Sequence, residues 1–120
     1  MAKHWALIVL LFYLFLLTGI SLIDLGELPS LGSSFDDKIF HFLSHAVLVG
    51  LCFNYFKRTR VSKPIMISAF VPICYGIAIE WLQDITSDLR TSDGYDVLAN
   101  VLGTIFAIIF INIIKNVKLK

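Results

Sequence analysis

Residues 80–103 read EWLQDITSDLRTSDGYDVLANVLG. The stretch joins the end of one apolar run to the start of another, and it holds Glu80, Gln83, Asp84, Arg90, Asp93, Asp96 and Asn100. A charge at the centre of a membrane helix costs roughly 2.5–3.5 kcal/mol on insertion scales. A chain that concentrates polarity here therefore has a structural or functional reason to do so. Elsewhere the 120 residues are poor in charge: 58% are hydrophobic and 16% are charged, with a mean hydropathy of +0.82. A soluble domain of this size is about half apolar and about a quarter charged. The excess sits in long runs, so the chain reads as a single integral membrane domain over residues 1–120.

Four runs are long enough to cross a bilayer, and they predict helices at about 5–23, 37–56, 64–86 and 95–114. The first, Trp5–Ile23, is almost wholly apolar and rises about 28 Å as a helix. It is too long for a typical signal-peptide core, and no small-residue cleavage site follows it directly, so a retained helix is expected. The next segment, DLGELPSLGSSFD, is loop chemistry, and Asp36 or Asp37 is suited to cap the second helix. That helix opens with Lys38, His41, Ser44 and His45; steps of three and four put Lys38, His41 and His45 on one face.

A basic loop, KRTRVSK, leads to the third helix, with Ser62 as its expected cap and Pro64 in its first turn. Pro72 removes a backbone donor inside that helix and predicts a kink, while Gly76 allows close packing. In the fourth helix Asp96, Asn100 and Gly103 share a face at i, i+4 and i+7. Cys52 and Cys74 lie in apolar runs with no metal-ligand or redox spacing, and both read as small buried hydrophobes. Trp5, Tyr55 and Trp81 fall at expected interfaces and read as anchors there.

Charge sets the expected topology. Four spans put both termini on one side, together with Lys3, the loop bases Lys57, Arg58, Arg60 and Lys63, and the tail bases Lys115, Lys118 and Lys120. The positive-inside rule makes that side the cytoplasm. The acids fall on or near the other side, and only Lys38 and Arg90 stand among them as cations. A cation placed against the bias is most simply explained by a partner, either Glu80, Asp93 or Asp96, or an anion that enters from outside. The expected fold is thus an all-α membrane protein with four transmembrane helices and cytoplasmic termini.

Lys38, His41, Glu80, Gln83, Arg90, Asp93, Asp96 and Asn100 form the candidate polar site. Each has a simpler reading beside the functional one. Glu80 with Lys38 or Arg90 makes a structural ion pair. Gln83 and Asp84 sit at a helix end near water, Asp96 is a charge at a helix N-terminus, and Asn100 is interhelical glue. His41 and His45 could chelate a metal with Glu80 or Asp96, but there is no HExxH and Lys38 on the same face repels a cation, so no metal site is expected. A hydrogen-bonding or proton-sensing His41 is preferred. Ser44 and His45 are not spaced as a nucleophile and its base.

Three separated motifs carry a resemblance: Asp37-Lys38-x-x-His41-Phe42, then Tyr75-Gly76-x3-Glu80-x2-Gln83, then Arg90-x2-Asp93-x2-Asp96-x3-Asn100-x2-Gly103. The pattern resembles the VanZ-like family of small bacterial membrane proteins, and it covers nearly the whole chain. That family is named for an accessory protein of glycopeptide antibiotic resistance associated with teicoplanin. The resemblance implies a multi-pass protein of the bacterial cytoplasmic membrane, linked to the cell envelope, with its site at the three motifs. Fold analogy supplies no reaction. The first reading is a non-enzymatic pocket near the outer leaflet for a lipid headgroup or other amphiphile. The alternatives are an enzyme acting on an envelope lipid, with Glu80 or Asp96 as acid/base, and a purely structural polar clamp. No cofactor is expected, and no nucleic-acid motif occurs.

Overall fold

The computed structural model describes residues 2–22, 34–86 and 94–119. They form four helices in the expected order: α1 (Ala2–Leu22), α2 (Ser34–Arg58), α3 (Pro64–Thr86) and α4 (Gly94–Leu119). Each holds a window long and apolar enough to cross a membrane. The helices are 21 to 26 residues long, or about 31–39 Å at 1.5 Å per residue, against a hydrocarbon core of about 30 Å.

The start of α2, the cap of α3 and the end of α4 differ from the sequence reading. α2 begins at Ser34, so Asp36 and Asp37 lie inside the helix and neither occupies the cap position. The Lys63 carbonyl accepts from the Ile67 amide at 3.3 Å, which makes Lys63, and not Ser62, the residue that caps α3 ahead of Pro64. Lys63 and Arg60 both take the left-handed backbone conformation, with φ of 60° and 59°, so this tight turn is made without a glycine. Finally, α4 continues to Leu119, carrying Lys115 and Lys118 as helical residues, since nothing in INIIKNVKL breaks a helix and bases favour the negative end of its dipole.

α2 is the central helix, packed against α1, α3 and α4; α3 also touches α1 and α4. Among the described residues α1 and α4 do not meet, so they flank the α2–α3 pair. One core cluster, Leu10, Leu17, Leu48 and Cys52, fastens α1 to α2 and reaches Val71 and Tyr75 of α3. The other, Val49, Ala107 and Ile111, fastens α4 to α2 and includes Ile65 of α3. Phe15, Phe70, Phe110 and many other large apolar residues stand exposed on the outside, the surface a bundle offers to hydrocarbon. Trp5 and Trp81 point outward, as interface anchors would, and Tyr55 is half-buried. Cys74 is also exposed, which corrects its reading as a buried hydrophobe; Cys52 is buried.

The tightest contact lies between α2 and α4. A Cβ added to Gly103 would overlap the backbone carbonyl of Phe42. Backbones approach this closely only where a side chain is missing. Gly103→Ala should therefore destabilise the purified protein by about 1–3 kcal/mol, as overpacking does, and lower its melting temperature in detergent. Gly50→Ala is the matched control, because a Cβ at Gly50 meets nothing within 4 Å.

Candidate functional site

The helices run so that the start of α2, the end of α3 and the start of α4 share one end of the bundle. That is also where the sequence puts its buried polarity. His41, Glu80, Gln83, Asp96 and Asn100 are all buried, each 6% exposed or less. At the opposite end Lys3, Lys57, Arg58 and Arg60 line a single open basic recess with Asn54. Charge is therefore segregated along the bundle axis.

Lys38 on α2 reaches across to α4, where its Nζ donates to Asp96 Oδ1 at 2.5 Å. The Lys38 side chain keeps 22% of its surface exposed and that of Asp96 9%, so the ammonium lies at the mouth of the cluster and the carboxylate inside it. One turn deeper, His41 Nδ1 lies 3.1 Å from the side-chain oxygen of Asn100. A carbonyl oxygen only accepts, so Nδ1–H is the donor and Nε2 carries the lone pair in the neutral ring. That Nε2 faces two carboxylates, 3.5 Å from Asp96 Oδ2 and 4.0 Å from Glu80 Oε1. Helices α2, α3 and α4 each contribute one member of this triad, and its nearest ligand-type atoms lie within 4.8 Å of one another. The i, i+4 spacing of Asp96 and Asn100 is what lets one face of α4 address both the mouth and the interior.

His45, one turn further along α2, goes elsewhere. Its Nε2 lies 2.9 Å from the Pro72 carbonyl on α3 and donates to it. The ring fits because a Cβ at Gly76 would stand only 2.7 Å from Nε2, and it would also crowd Asn100 Nδ2 at 2.8 Å. Gly76 therefore admits both side chains against the backbone of α3. His45 Nδ1 is buried and has no hydrogen-bond partner among the described residues. A cavity of about 10 Å³ lies alongside, lined in part by Ser21, His41, Ser44, His45 and Asn100. That is about the space one water needs.

Of the expected site residues, the structure brings Lys38, His41, Glu80, Asp96 and Asn100 together. Gln83 is turned to α1, where its Nε2 donates to the Ser21 carbonyl at 2.6 Å. Arg90 and Asp93 lie outside the described residues. Ser44 Oγ donates to the His41 carbonyl within its own helix, and Thr104 Oγ1 donates to that of Asn100, so both hydroxyls are satisfied locally. Sequence reasoning missed the fasteners of α1: Tyr13 OH donates to the Ser44 carbonyl at 2.7 Å, and the Thr18 and Tyr75 hydroxyls meet at 2.6 Å. Their signal was present as hydroxyls inside apolar runs, where an unmet polar group is costly.

The fold and this geometry define a class: a small multi-pass helical membrane protein with a buried polar cluster, drawn from three helices, at one end of the bundle. The family model of VanZ/LLP1 matches residues 5–115, and the chain belongs to that family. No curated protein and no solved structure matches it.

The Lys38–Asp96 pair is only partly exposed, and breaking one side of such a pair costs more than removing both. Lys38→Met and Asp96→Asn should each destabilise the protein, and the double variant should recover part of the loss. A double-mutant cycle on detergent unfolding should give a coupling energy of about 1–3 kcal/mol.

Proposed function

We propose that this VanZ/LLP1 protein is a non-enzymatic component of the bacterial cytoplasmic membrane that binds the anionic headgroup of a lipid or other amphiphile at the outer end of its bundle. One observation carries the reading. Lys38, the cation placed against the charge bias, sits partly exposed at the mouth of a buried polar cluster, held there by Asp96. An anion arriving at the interface meets the ammonium first and can replace the carboxylate as its partner. The family supplies the setting: it is named for a teicoplanin-resistance accessory protein, and teicoplanin is an amphiphile with a lipid tail. Glycopeptide resistance is accordingly the phenotype to examine.

The proposed orientation follows from the segregated charge. The gathering of Lys3, Lys57, Arg58 and Arg60 at one end supports a cytoplasmic face there under the positive-inside rule, with both termini on that side in this reading. A single cysteine at Arg60, in a Cys52→Ala/Cys74→Ala background, should react with an impermeant maleimide only after the cells are permeabilised. Labelling in intact cells would reverse the bundle and move the polar cluster to the cytoplasmic side.

A structural clamp is the second reading, favoured by the small cavity of about 10 Å³ inside the cluster, far below a headgroup's volume. Mass spectrometry of lipids that co-purify with the protein separates the two. The binding reading expects anionic lipid enriched on wild-type protein and reduced at least threefold in Lys38→Met at matched protein recovery. Unchanged lipid with a lowered melting temperature would leave only the clamp.

A further inference from the structure

Three electron-rich atoms converge at the centre of the buried cluster. His41 gives its Nδ1–H to Asn100, so in the neutral ring Nε2 is the nitrogen that carries the lone pair, and it faces Asp96 Oδ2 at 3.5 Å and Glu80 Oε1 at 4.0 Å. These separations exceed a direct hydrogen bond. They are close to the spacing of ligands that share one ion: Zn–N and Zn–O bonds of 2.0–2.2 Å at a tetrahedral angle place ligand atoms about 3.3 Å apart. All three side chains are buried, and they come from three different helices, so the site exists only in the folded bundle.

We propose that His41, Glu80 and Asp96 bind one divalent first-row transition ion, Zn²⁺ being the best match to a single imidazole and two carboxylates. The sequence directed this possibility to His41 with His45, one turn apart, and Lys38 on the same face argued against it. The structure assigns those residues differently. His45 donates its Nε2–H to the Pro72 carbonyl and is no ligand of this site. Lys38 holds the far oxygen of Asp96, Oδ1, leaving Oδ2 toward His41. The ammonium therefore fixes a ligand instead of occupying the metal position. Asn100 fixes the imidazole in the same way, by accepting Nδ1–H and setting the tautomer with Nε2 as donor atom. Three protein ligands leave a fourth position for water or an oxyanion, the arrangement of an open zinc site. The three donor atoms lie within 4.8 Å of one another, so binding an ion draws them inward by side-chain adjustment.

The inference concerns the same end of the bundle as the headgroup reading but does not depend on it. The test uses full-length protein in detergent, with any affinity tag removed and metal stripped by a chelator. Titration with Co²⁺ should give a saturable visible spectrum at one ion per chain, displaced by Zn²⁺. His41→Ala and Asp96→Asn should each weaken binding at least tenfold, and Asn100→Leu about tenfold, the usual effect of losing a group that orients a ligand. Lys38→Met, which loses only a group that orients Asp96, should still bind one ion with affinity weakened no more than about tenfold, whereas the headgroup reading expects that same variant to lose anionic lipid; the two ideas therefore fail separately. Complete loss of cobalt uptake in a folded Lys38→Met, as large as that in His41→Ala, would overturn the ligand assignment. Should the ligand variants not fold, X-ray absorption of zinc-loaded wild-type protein decides, with one imidazole expected and none or two excluding the site. Absence of stoichiometric uptake by wild-type protein would overturn the proposal outright.

Discussion

A polar group buried in an apolar bundle must find its partner within the protein, and this requirement shapes the chain more than any hydrophobic contact does. The exterior is apolar on every helix, and lipid tails are as apolar as leucine, so burial of aliphatic side chains alone drives little association. What distinguishes one packing from another is where hydroxyls, imidazoles, amides and charges meet. Interhelical polar contacts select the register, among them Lys38 with Asp96, His41 with Asn100, His45 with the Pro72 carbonyl, Gln83 with the Ser21 carbonyl, Tyr13 with the Ser44 carbonyl and Thr18 with Tyr75. Together they tie α2 to each of the other three helices.

Two glycines make that network possible. Gly103 removes the side chain that would hold α4 away from the Phe42 carbonyl, and Gly76 clears α3 for His45 and the Asn100 amide. Close backbone approach and polar pairing thus support each other. Side chains as short as Asn and Asp reach across helix pairs only where the backbones are near, and near backbones bring carbonyls such as Pro72 within reach of a ring nitrogen. The same closeness squeezes the interior. A cavity of about 10 Å³ remains beside His41 and His45, and the partly exposed Lys38 stands at the mouth of the cluster.

Much of the fold was legible in the sequence, and for a simple reason. Four long apolar runs separated by polar turns admit little besides four membrane-length helices, and α3 begins and ends where the sequence reading put it. The errors lie where local rules compete. Asp36 and Asp37 are good caps, yet helix continues upstream of them to Ser34. Ser62 is a better cap than Lys63, yet the turn geometry uses Lys63. Basic residues after Ile114 looked like a tail, although lysine and asparagine are compatible with the last turns of a helix, and α4 runs to Leu119.

The sequence by itself determined the family pattern, the helices and the list of polar residues on their faces, because these depend on spacing along one chain. Helical periodicity put Lys38, His41 and His45 on one face of α2. It could not tell that the first two turn toward Asp96 and Asn100 while the third turns to α3, since that depends on how α3 and α4 sit around α2. Nor could it tell that Gln83, read as a helix end near water, turns inward to clamp α1 while Glu80, one turn away, faces His41. Only the tertiary structure, by bringing one residue from each of three helices to within 4.8 Å, turned scattered polar positions into a single buried triad of His41, Glu80 and Asp96. Distances between helices are a property of packing, and in this bundle packing is decided by where small residues let backbones touch.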